Sequence, residues 1–361
     1  MKITIVAGAR PNFIKIAPII RAIENKQKIV PTLSYRLVHT GQHYDKNLSD
    51  TFFTELNIPK PDVNLEVKSG SQAEQTAAIM VAFEKELLQN PCDLVLVVGD
   101  VNSTMACAIT AKKLHIKVTH VEAGIRSGDM TMPEEINRIV TDSITDYFFT
   151  TSVTANDNLI KYGADVRNIH FVGNVMIDTL YQNLDRISAP DFWDDFNLEK
   201  DHYMVLTLHR PANVDEENSL IELLRGIDEM AGNRKIIFPI HPRTKAILGE
   251  KKLDLKNIFL VAPQGYLHFM FLIKNCFAVI TDSGGISEET TVLGIPCFTM
   301  RNNTERPETE TIGTNTLVGT SIENLKKIFE RFLINGPKKA GIPELWDGKA
   351  SERIIDILLQ K

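Results

Sequence analysis

The chain has 361 residues, 43% of them hydrophobic, and a formal net charge of -6. That length exceeds what one hydrophobic core usually organises, so two domains are expected. The charges form no block of one sign, which excludes the electrostatic footprint of a protein that wraps nucleic acid or lies on an anionic membrane. We therefore expect a small-molecule partner or a second copy of the chain.

The four cysteines, Cys92, Cys107, Cys276 and Cys297, are far apart in sequence and lie mostly in apolar runs. They form no CxxC pair, so we interpret them as reduced core residues. The first residues begin a strand without the layout of a signal peptide, and no apolar stretch is long enough to span a membrane. A cytoplasmic location is expected.

Short apolar, β-branched runs alternate with amphipathic stretches along the first half of the chain. Runs at 3–8, 35–41, 94–100, 117–124, 147–152 and 169–174 are predicted to be strands. This alternation is typical of a parallel sheet wound with helices.

A stretch rich in proline, acidic and aromatic residues at 187–201 interrupts the pattern, and we predict a linker there. Further strands are predicted at 203–209, 235–242, 257–263, 277–285 and 295–300. The second half is thus expected to be another doubly wound α/β domain. The amphipathic C-terminal stretch is expected to pack across onto the first domain.

Polar residues follow four of the predicted strands at their carboxyl ends, where ligands bind in open α/β sheets. They are Arg10 and Lys15, Asp100, Glu122, and His209 with Arg210. Any one of them could equally serve helix capping. Their recurrence favours a binding site.

The stretch ITDSGGISEE at 280–289 leads a strand through a Ser-Gly-Gly turn into a helix. Backbone N–H groups at that helix start, with no Cβ on Gly284 or Gly285, suit a phosphate or diphosphate. The alternative is an ordinary turn with Ser283 as its N-cap. Glu289, one turn later, is placed to reach ribose hydroxyls or to serve a structural role.

Pro133 marks a predicted helix start, with Glu134 and Glu135 in the first turn. Carboxylates there interact favourably with the helix dipole. The functional alternative is that one of them acts as an acid or base.

Several familiar signatures are absent from the sequence. No GxGxxG follows the first strand and no GxxxxGK[ST] occurs, which argues against dinucleotide redox and P-loop chemistry. His39 and His43 are four residues apart, but Gly41 and the strand context place them off a helix, so no metal pair is predicted.

Together the motifs resemble the non-hydrolysing UDP-N-acetylglucosamine 2-epimerases along nearly the whole chain. The segments that carry the resemblance include GARPNFIK (8–15), HTGQH (39–43), HVEAGIRSGD (120–129), PEEINR (133–138), TDSGGISEE (281–289) and TERPE (304–308). The resemblance implies two doubly wound Rossmann-like domains facing a cleft, the glycosyltransferase-B-type fold. We expect these at 1–186 and 187–349, with a C-terminal helix over 350–361 that packs back on the first.

The resemblance also implies the reaction, which is reversible epimerisation at C2 of UDP-N-acetylglucosamine to UDP-N-acetylmannosamine, feeding cell-surface polysaccharide synthesis. UDP would be eliminated to leave 2-acetamidoglucal and then added back, without metal or cofactor. A homodimer is implied as well. Clustered carboxylates would push each other's pKa values apart and keep one protonated near neutrality.

The resemblance assigns roles to individual residues. The implied catalytic residues are Asp100, Glu122, Glu134 and His209. The implied substrate-binding residues are Arg10, Lys15, Gln264, Phe269, Ser283, Gly284, Gly285, Glu289 and Arg306. Gln42 and His43 match the region where many bacterial members bind a second UDP-N-acetylglucosamine as an allosteric activator.

Several alternatives stay open at this point. A related group epimerises a UDP-linked diacetamido-uronic acid, although TERPE favours the simple N-acetylglucosamine enzymes. A UDP-sugar glycosyltransferase, a hydrolysing epimerase and a non-catalytic UDP-sugar sensor are the others. Three acids beside a sugar argue against the sensor, because binding alone does not require them.

Overall fold

Two parallel β-sheets, each flanked by helices, organise the chain in the computed structural model. The structure describes residues 1–41, 52–68, 70–240, 242–249 and 254–361. Unit 1 comprises Met1–Asn183 and Glu344–Lys361, and unit 2 comprises Leu184–Pro343. Within those described ranges, no helix has the length and apolar content needed to cross a membrane.

Unit 1 is built on a seven-stranded sheet in the order β3-β2-β1-β4-β5-β6-β7. All of its strand pairs are parallel. The strands are β1 (Lys2–Ala7), β2 (Ser34–His39), β3 (Val63–Asn64), β4 (Leu94–Val98), β5 (Lys117–Val121), β6 (Tyr147–Thr150) and β7 (Ile169–Phe171). Every residue of β4 is buried, as expected for a central strand covered on both faces.

The helices of unit 1 alternate with these strands. They are α1 (Arg10–Gln27), α2 (Gln72–Gln89), α3 (Asn102–Lys113), α4 (Pro133–Ile144), α5 (Val153–Lys161) and α6 (Val175–Asn183). Local sequence sets their starts: Ser71 accepts from the Glu74 backbone N–H at 3.3 Å, and Glu74 accepts from the Ser71 N–H at 3.0 Å. This reciprocal pair is a capping box that begins α2.

Unit 2 is built on a six-stranded parallel sheet in the order β10-β9-β8-β11-β12-β13. Its strands are β8 (Tyr203–Thr207), β9 (Lys235–Pro239), β10 (Ile258–Val261), β11 (Ala278–Thr281), β12 (Cys297–Thr299) and β13 (Asn315–Leu317). Its helices are α7 (Pro211–Val214), α8 (Glu217–Met230), α9 (Pro242–Leu248), α10 (Tyr266–Asn275), α11 (Gly284–Leu293), α12 (Pro307–Thr311) and α13 (Ile322–Asn335). Phe298 of β12 packs its ring against Phe329 and Phe332 of α13 in the core of this unit.

The final helix, α14 (Ala350–Leu358), belongs to unit 1. Asp178 of α6 accepts the backbone N–H groups of Ala350 and Ser351 at 3.1 and 2.6 Å, which anchors the start of α14. Trp346 is buried and donates its indole N–H to the Thr151 carbonyl at 2.9 Å. Because of this anchor, unit 1 takes the chain from Glu344 onward, whereas the sequence expectation left residues up to 349 in the second domain.

Candidate active site

Two predicted acids lie at the same edge of the unit 1 sheet. Glu122 directly follows β5 and Asp100 follows β4 by two residues, and these strands are parallel neighbours. Glu122 is 2% exposed and lies 2.5 Å from the Lys15 Nζ, so the ion pair is buried. Its φ of 69° is strained for a side chain of this kind, a feature that persists only where the surroundings fix it.

Asp100 is held by a second, separate cation. Arg138 of α4 donates from NH1 to Asp100 Oδ2 at 2.6 Å, and from Nε and NH2 to Glu135 Oε2 at 3.0 and 2.8 Å. Glu135 also accepts the backbone N–H groups of Ser127 and Gly128. Burial alone would raise the pKa of Glu135, but these N–H groups and Arg138 hold it below its usual value.

Asp100 and Glu122 therefore each face a cation of their own, Arg138 and Lys15 respectively. The sequence had suggested instead that these carboxylates repel one another. Glu134 is exposed on the first turn of α4, whereas its neighbour Glu135 is buried. The structure thus gives Glu135 a structural role and leaves the Glu134 carboxylate at the surface.

Replacing Arg138 by Met tests the structural role of its ion pairs with Asp100 and Glu135. We expect the free energy of unfolding to fall by about 3–5 kcal/mol, because Glu135 would be left as a buried charge without its cation. Denaturation in urea measures the change. Arg167→Met is the matched control, because Arg167 is an exposed partner of Asp165 and exposed pairs contribute little to stability. Equal stability of the two variants would show that the Arg138 pair is not structural.

Arg10 and His39 lie at the ends of β1 and β2. The Arg10 guanidinium lies 4.1 Å from the centre of the Phe52 ring. His39 is buried, which lowers its pKa to about 4, so it is neutral near pH 7. Its Nδ1 accepts the Gly41 N–H at 2.9 Å. Gln42 and His43, the predicted allosteric residues, lie outside the described residues.

His209 and Asp282 form a dyad at the carboxyl edge of the unit 2 sheet. The His209 Nδ1 is 2.8 Å from Asp282 Oδ1, and Asp282 also accepts the backbone N–H groups of His209 and Arg210. Burial alone would raise the pKa of Asp282, but the hydrogen bond and charge of His209 hold it below its usual value. The carboxylate fixes one ring nitrogen, while the His209 side chain stays 48% exposed for contact with a ligand.

The Ser-Gly-Gly turn directly follows this aspartate. Helix α11 begins at Gly284, and Ser283 makes no side-chain capping hydrogen bond to it. A Cβ added to Gly284 would meet its nearest atoms, on Arg301 and Glu305, only at 3.7 and 3.8 Å. Since Ser283 does not cap the first turn, the helix start keeps donors suited to an anion.

Arginines and glutamates pair tightly beside this turn. Arg301 donates to both carboxylate oxygens of Glu305 at 2.7 and 2.8 Å. Burial opposes ionisation of Glu305, but Arg301 outweighs it and lowers the pKa to about 2. Arg306 is buried and donates from Nε to Glu288 at 2.5 Å. These pairs fix the arginine side chains before any ligand arrives.

Glu289 lies one turn into α11 and is 3% exposed. Burial raises its pKa to about 8, although the Tyr266 hydroxyl donates to it at 3.0 Å. Gln264 follows β10 and Phe269 lies on α10, and both side chains are partly exposed. The three predicted nucleoside-contacting residues thus lie in the loop after β10, on α10 and on α11 of unit 2.

The structure adds residues that sequence reasoning did not select as site residues. Three of them, Arg138, Asp282 and Glu288, pair with a predicted residue. Glu135 pairs with Arg138, and Arg301 pairs with Glu305. Most lie within motifs already noted, PEEINR, TDSGGISEE and TERPE. Their partners come from elsewhere in the fold, so the motifs alone did not reveal these roles.

Comparisons with a family model and with known proteins point to the same family. The family model described as UDP-N-acetylglucosamine 2-epimerase matches residues 25–359. A protein of that name from Methanocaldococcus jannaschii is 42% identical over 99% of both chains. A Pseudomonas aeruginosa protein named UDP-2,3-diacetamido-2,3-dideoxy-D-glucuronate 2-epimerase is 38% identical over 99% of both.

Solved structures that resemble the chain include a member of the same family. The Methanocaldococcus jannaschii UDP-GlcNAc 2-epimerase in complex with UDP-GlcNAc and UDP matches with a TM-score of 0.90 and 43% identity, over 100% of both chains. The lipopolysaccharide outer core galactosyltransferase WaaB matches over 100% of both chains at 13% identity, with a TM-score of 0.56. That second match concerns the fold alone, and with the first it confirms the predicted glycosyltransferase-B-type architecture.

Proposed function

Since the chain belongs to the UDP-N-acetylglucosamine 2-epimerase family, we propose that it interconverts UDP-N-acetylglucosamine and UDP-N-acetylmannosamine by epimerisation at C2. The observation that carries the proposal is the pair of acids, Asp100 and Glu122, at the ends of two neighbouring strands. Each is fixed by a buried cationic side chain. A protein that only bound a UDP-sugar would have no need of such a pair.

The reaction proceeds by elimination and re-addition. A base removes the C2 proton, the C1–O bond to UDP breaks, and 2-acetamidoglucal and UDP remain bound. An acid then returns a proton to the other face of C2, and UDP adds back to C1. C2–H has no adjacent carbonyl, so charge must be stabilised both at the acid–base groups and at the departing diphosphate.

Unit 1 supplies the acid–base groups in this scheme. Asp100 and Glu122 serve C2 on its two faces, and Glu134 is the third candidate acid. Lys15 neutralises Glu122 and holds its carboxylate in place. Arg138 holds the Asp100 carboxylate in place in the same way.

Unit 2 supplies the residues that bind UDP. Arg306 and the turn of Ser283, Gly284 and Gly285 bind the diphosphate. His209, oriented by Asp282, donates to the departing phosphate oxygen. Gln264 and Phe269 contact the uracil, and Glu289 binds the ribose.

Gly284→Ala tests the diphosphate turn. The added methyl has ordinary van der Waals contacts, so the variant should fold with wild-type stability while its Cβ obstructs the approach of phosphate to the helix start. We expect the Kd for UDP to rise about tenfold, measured by calorimetry. Gly341→Ala is the matched control, because a Cβ added to Gly341 would likewise make only an ordinary van der Waals contact. Unchanged UDP affinity in Gly284→Ala would remove the turn from the site.

Proton NMR of the sugar tests the activity itself. With UDP-N-acetylglucosamine as sole substrate, the wild type should form UDP-N-acetylmannosamine until a constant ratio is reached. Free UDP and free N-acetylmannosamine in equal amounts would instead identify a hydrolysing enzyme. An unchanged spectrum would refute the proposal.

We also propose that the active form is a homodimer and that its product feeds cell-surface polysaccharide synthesis. Light scattering on the eluting protein tests the first point, where a mass of one chain would contradict it. Loss of N-acetylmannosamine from the surface glycan of a deletion strain tests the second.

A further inference from the structure

A buried histidine lies directly behind the Asp100 turn and has no part in the proposed chemistry. His120 of β5 is 0% exposed. Its Nε2 is 2.8 Å from the Gly99 carbonyl oxygen, and its Nδ1 is 2.7 Å from Asp142 Oδ1 on α4. Both ring nitrogens therefore face oxygen atoms that accept hydrogen bonds.

This geometry determines the protonation of the ring. A neutral imidazole carries one N–H, so one of the two contacts would place a ring lone pair against an oxygen. Asp142 supplies no proton of its own: burial alone would raise its pKa, but its pairing with His120 and with Arg126, whose NH1 lies 2.7 Å from Oδ2, holds the pKa below its usual value. Both contacts are hydrogen bonds only if both ring nitrogens donate, which requires an imidazolium.

The contact to the Gly99 carbonyl lies just after the end of β4, at the turn that leads to Asp100. Gly99 directly precedes Asp100 and has a φ of 66°, a left-handed conformation that glycine adopts without strain. It donates its N–H to the Val121 carbonyl at 3.1 Å, and a Cβ added to it would lie 2.9 Å from the Lys15 Nζ. The turn is thus enclosed by neighbours on several sides.

We infer that His120 is a positioning residue, held as a buried imidazolium by Asp142, that fixes the Gly99–Asp100 turn in its working geometry. Asp142 fixes the next strand end at the same time, since Gly124 lies two residues after Glu122. The inference about catalysis rests on the proposed role of Asp100. The charge state of His120 does not depend on that role.

Among the described residues, three other charged side chains of unit 1 lie close to this pair or to the Gly99 turn. Asp142 contacts the ring from α4, and Arg126 contacts Asp142 from the loop after β5. Lys15 of α1 lies next to Gly99 and pairs with Glu122. Asp142 is the acid that contacts the ring directly, so it is the counter-ion to alter.

Nitrogen-15 NMR of the wild type tests the charge state without any assay of activity. With histidine labelled at both ring nitrogens, His120 should show two protonated nitrogens at pH 7. Its signals are assigned as those lost in His120→Gln, with Asp142→Asn as a second means of assignment because it alters the same signals. One unprotonated ring nitrogen at pH 7 would overturn the inference.

Kinetics of two variants test the positioning role. Gln carries both its N–H groups on one nitrogen and cannot donate to acceptors on opposite sides, so His120→Gln should lower kcat about 10–100-fold with KM within about twofold. Asp142→Asn keeps an acceptor oxygen but loses the counter-charge, so its kcat should fall as pH rises from 6 to 8.5 while the wild type shows no such added ionisation. His202→Gln, an exposed histidine, is the control.

The outcomes separate the two proposals. Wild-type kcat in His120→Gln, or a kcat of Asp142→Asn with the pH profile of the wild type, would refute the positioning role. A cooperative unfolding transition in urea like that of the wild type shows that a slow variant is folded. If the wild type lacks epimerase activity, the proposed function fails, while the nitrogen spectra still decide the charge state of His120.

Discussion

Asp100→Asn is expected to lower kcat for epimerisation about a thousandfold, within the range typical of removing a positioned acid or base. Asn is isosteric with Asp and its carbonyl oxygen can still accept from Arg138, so the frame made by Arg138 and Glu135 should survive. The amide cannot exchange a proton with C2. Initial rates and UDP titrations measure the two effects.

The Kd for UDP should change little in Asp100→Asn, since the proposed UDP contacts lie mostly in unit 2. Asp157→Asn on α5, an exposed carboxylate, is the control and should keep wild-type turnover. Glu122→Gln should behave like Asp100→Asn. If Asp100→Asn turned over as fast as the control, Asp100 would not be an acid–base group.

Glu289→Gln is expected to make the protein more stable than the wild type at high pH. Burial raises the pKa of Glu289 to about 8, against an ordinary value of 4.5. The folded chain therefore binds more protons than the unfolded chain between these values, so this group lowers the free energy of unfolding as pH rises from about 4.5 to 8. Glutamine has no such ionisation.

The stability difference between Glu289→Gln and the wild type should thus grow across that window, by an upper bound of about 5 kcal/mol. Urea denaturation of both proteins at pH 5 and pH 8.5 measures it. Glu217→Gln, at the first turn of α8, is the control and should show no growing difference. A difference independent of pH would mean that Glu289 is ionised throughout.

Ionisation of Glu289 also bears on the proposed role in binding ribose. At pH 7 a carboxyl with a pKa of about 8 is mostly protonated, so it can donate one hydrogen bond as well as accept from Tyr266. Glu289→Gln preserves both a donor and an acceptor. Its UDP affinity near pH 7 should therefore stay closer to the wild type than that of Glu289→Ala.

The parallel architecture could be predicted from the sequence because buried strands leave a clear signal. Eleven apolar runs were predicted, and each overlaps a strand of the structure. Among the described residues, the two strands missed are β3 and β13, of two and three residues. Neither has the length to form an apolar run, and each is recognised only by its pairing with a neighbour.

The site could be predicted in part for a similar reason. Asp100 and Glu122 were identified because they follow strands, a relation that sequence displays directly. Arg138 and Asp282 were not selected, since their importance depends on partners distant in sequence: Asp100 lies 38 residues from Arg138, and Asp282 lies 73 from His209. Which of Glu134 and Glu135 is buried also depended on how α4 packs.

Hydrogen exchange at C2 tests the central claim most directly. Purified protein and UDP-N-acetylglucosamine in deuterated water, with no added cofactor, should yield both epimers carrying deuterium at C2, detected by mass and by loss of the C2 proton signal. Asp100→Asn should lose this exchange along with epimerisation. Recovery of UDP-N-acetylglucosamine unlabelled and unchanged would contradict the account.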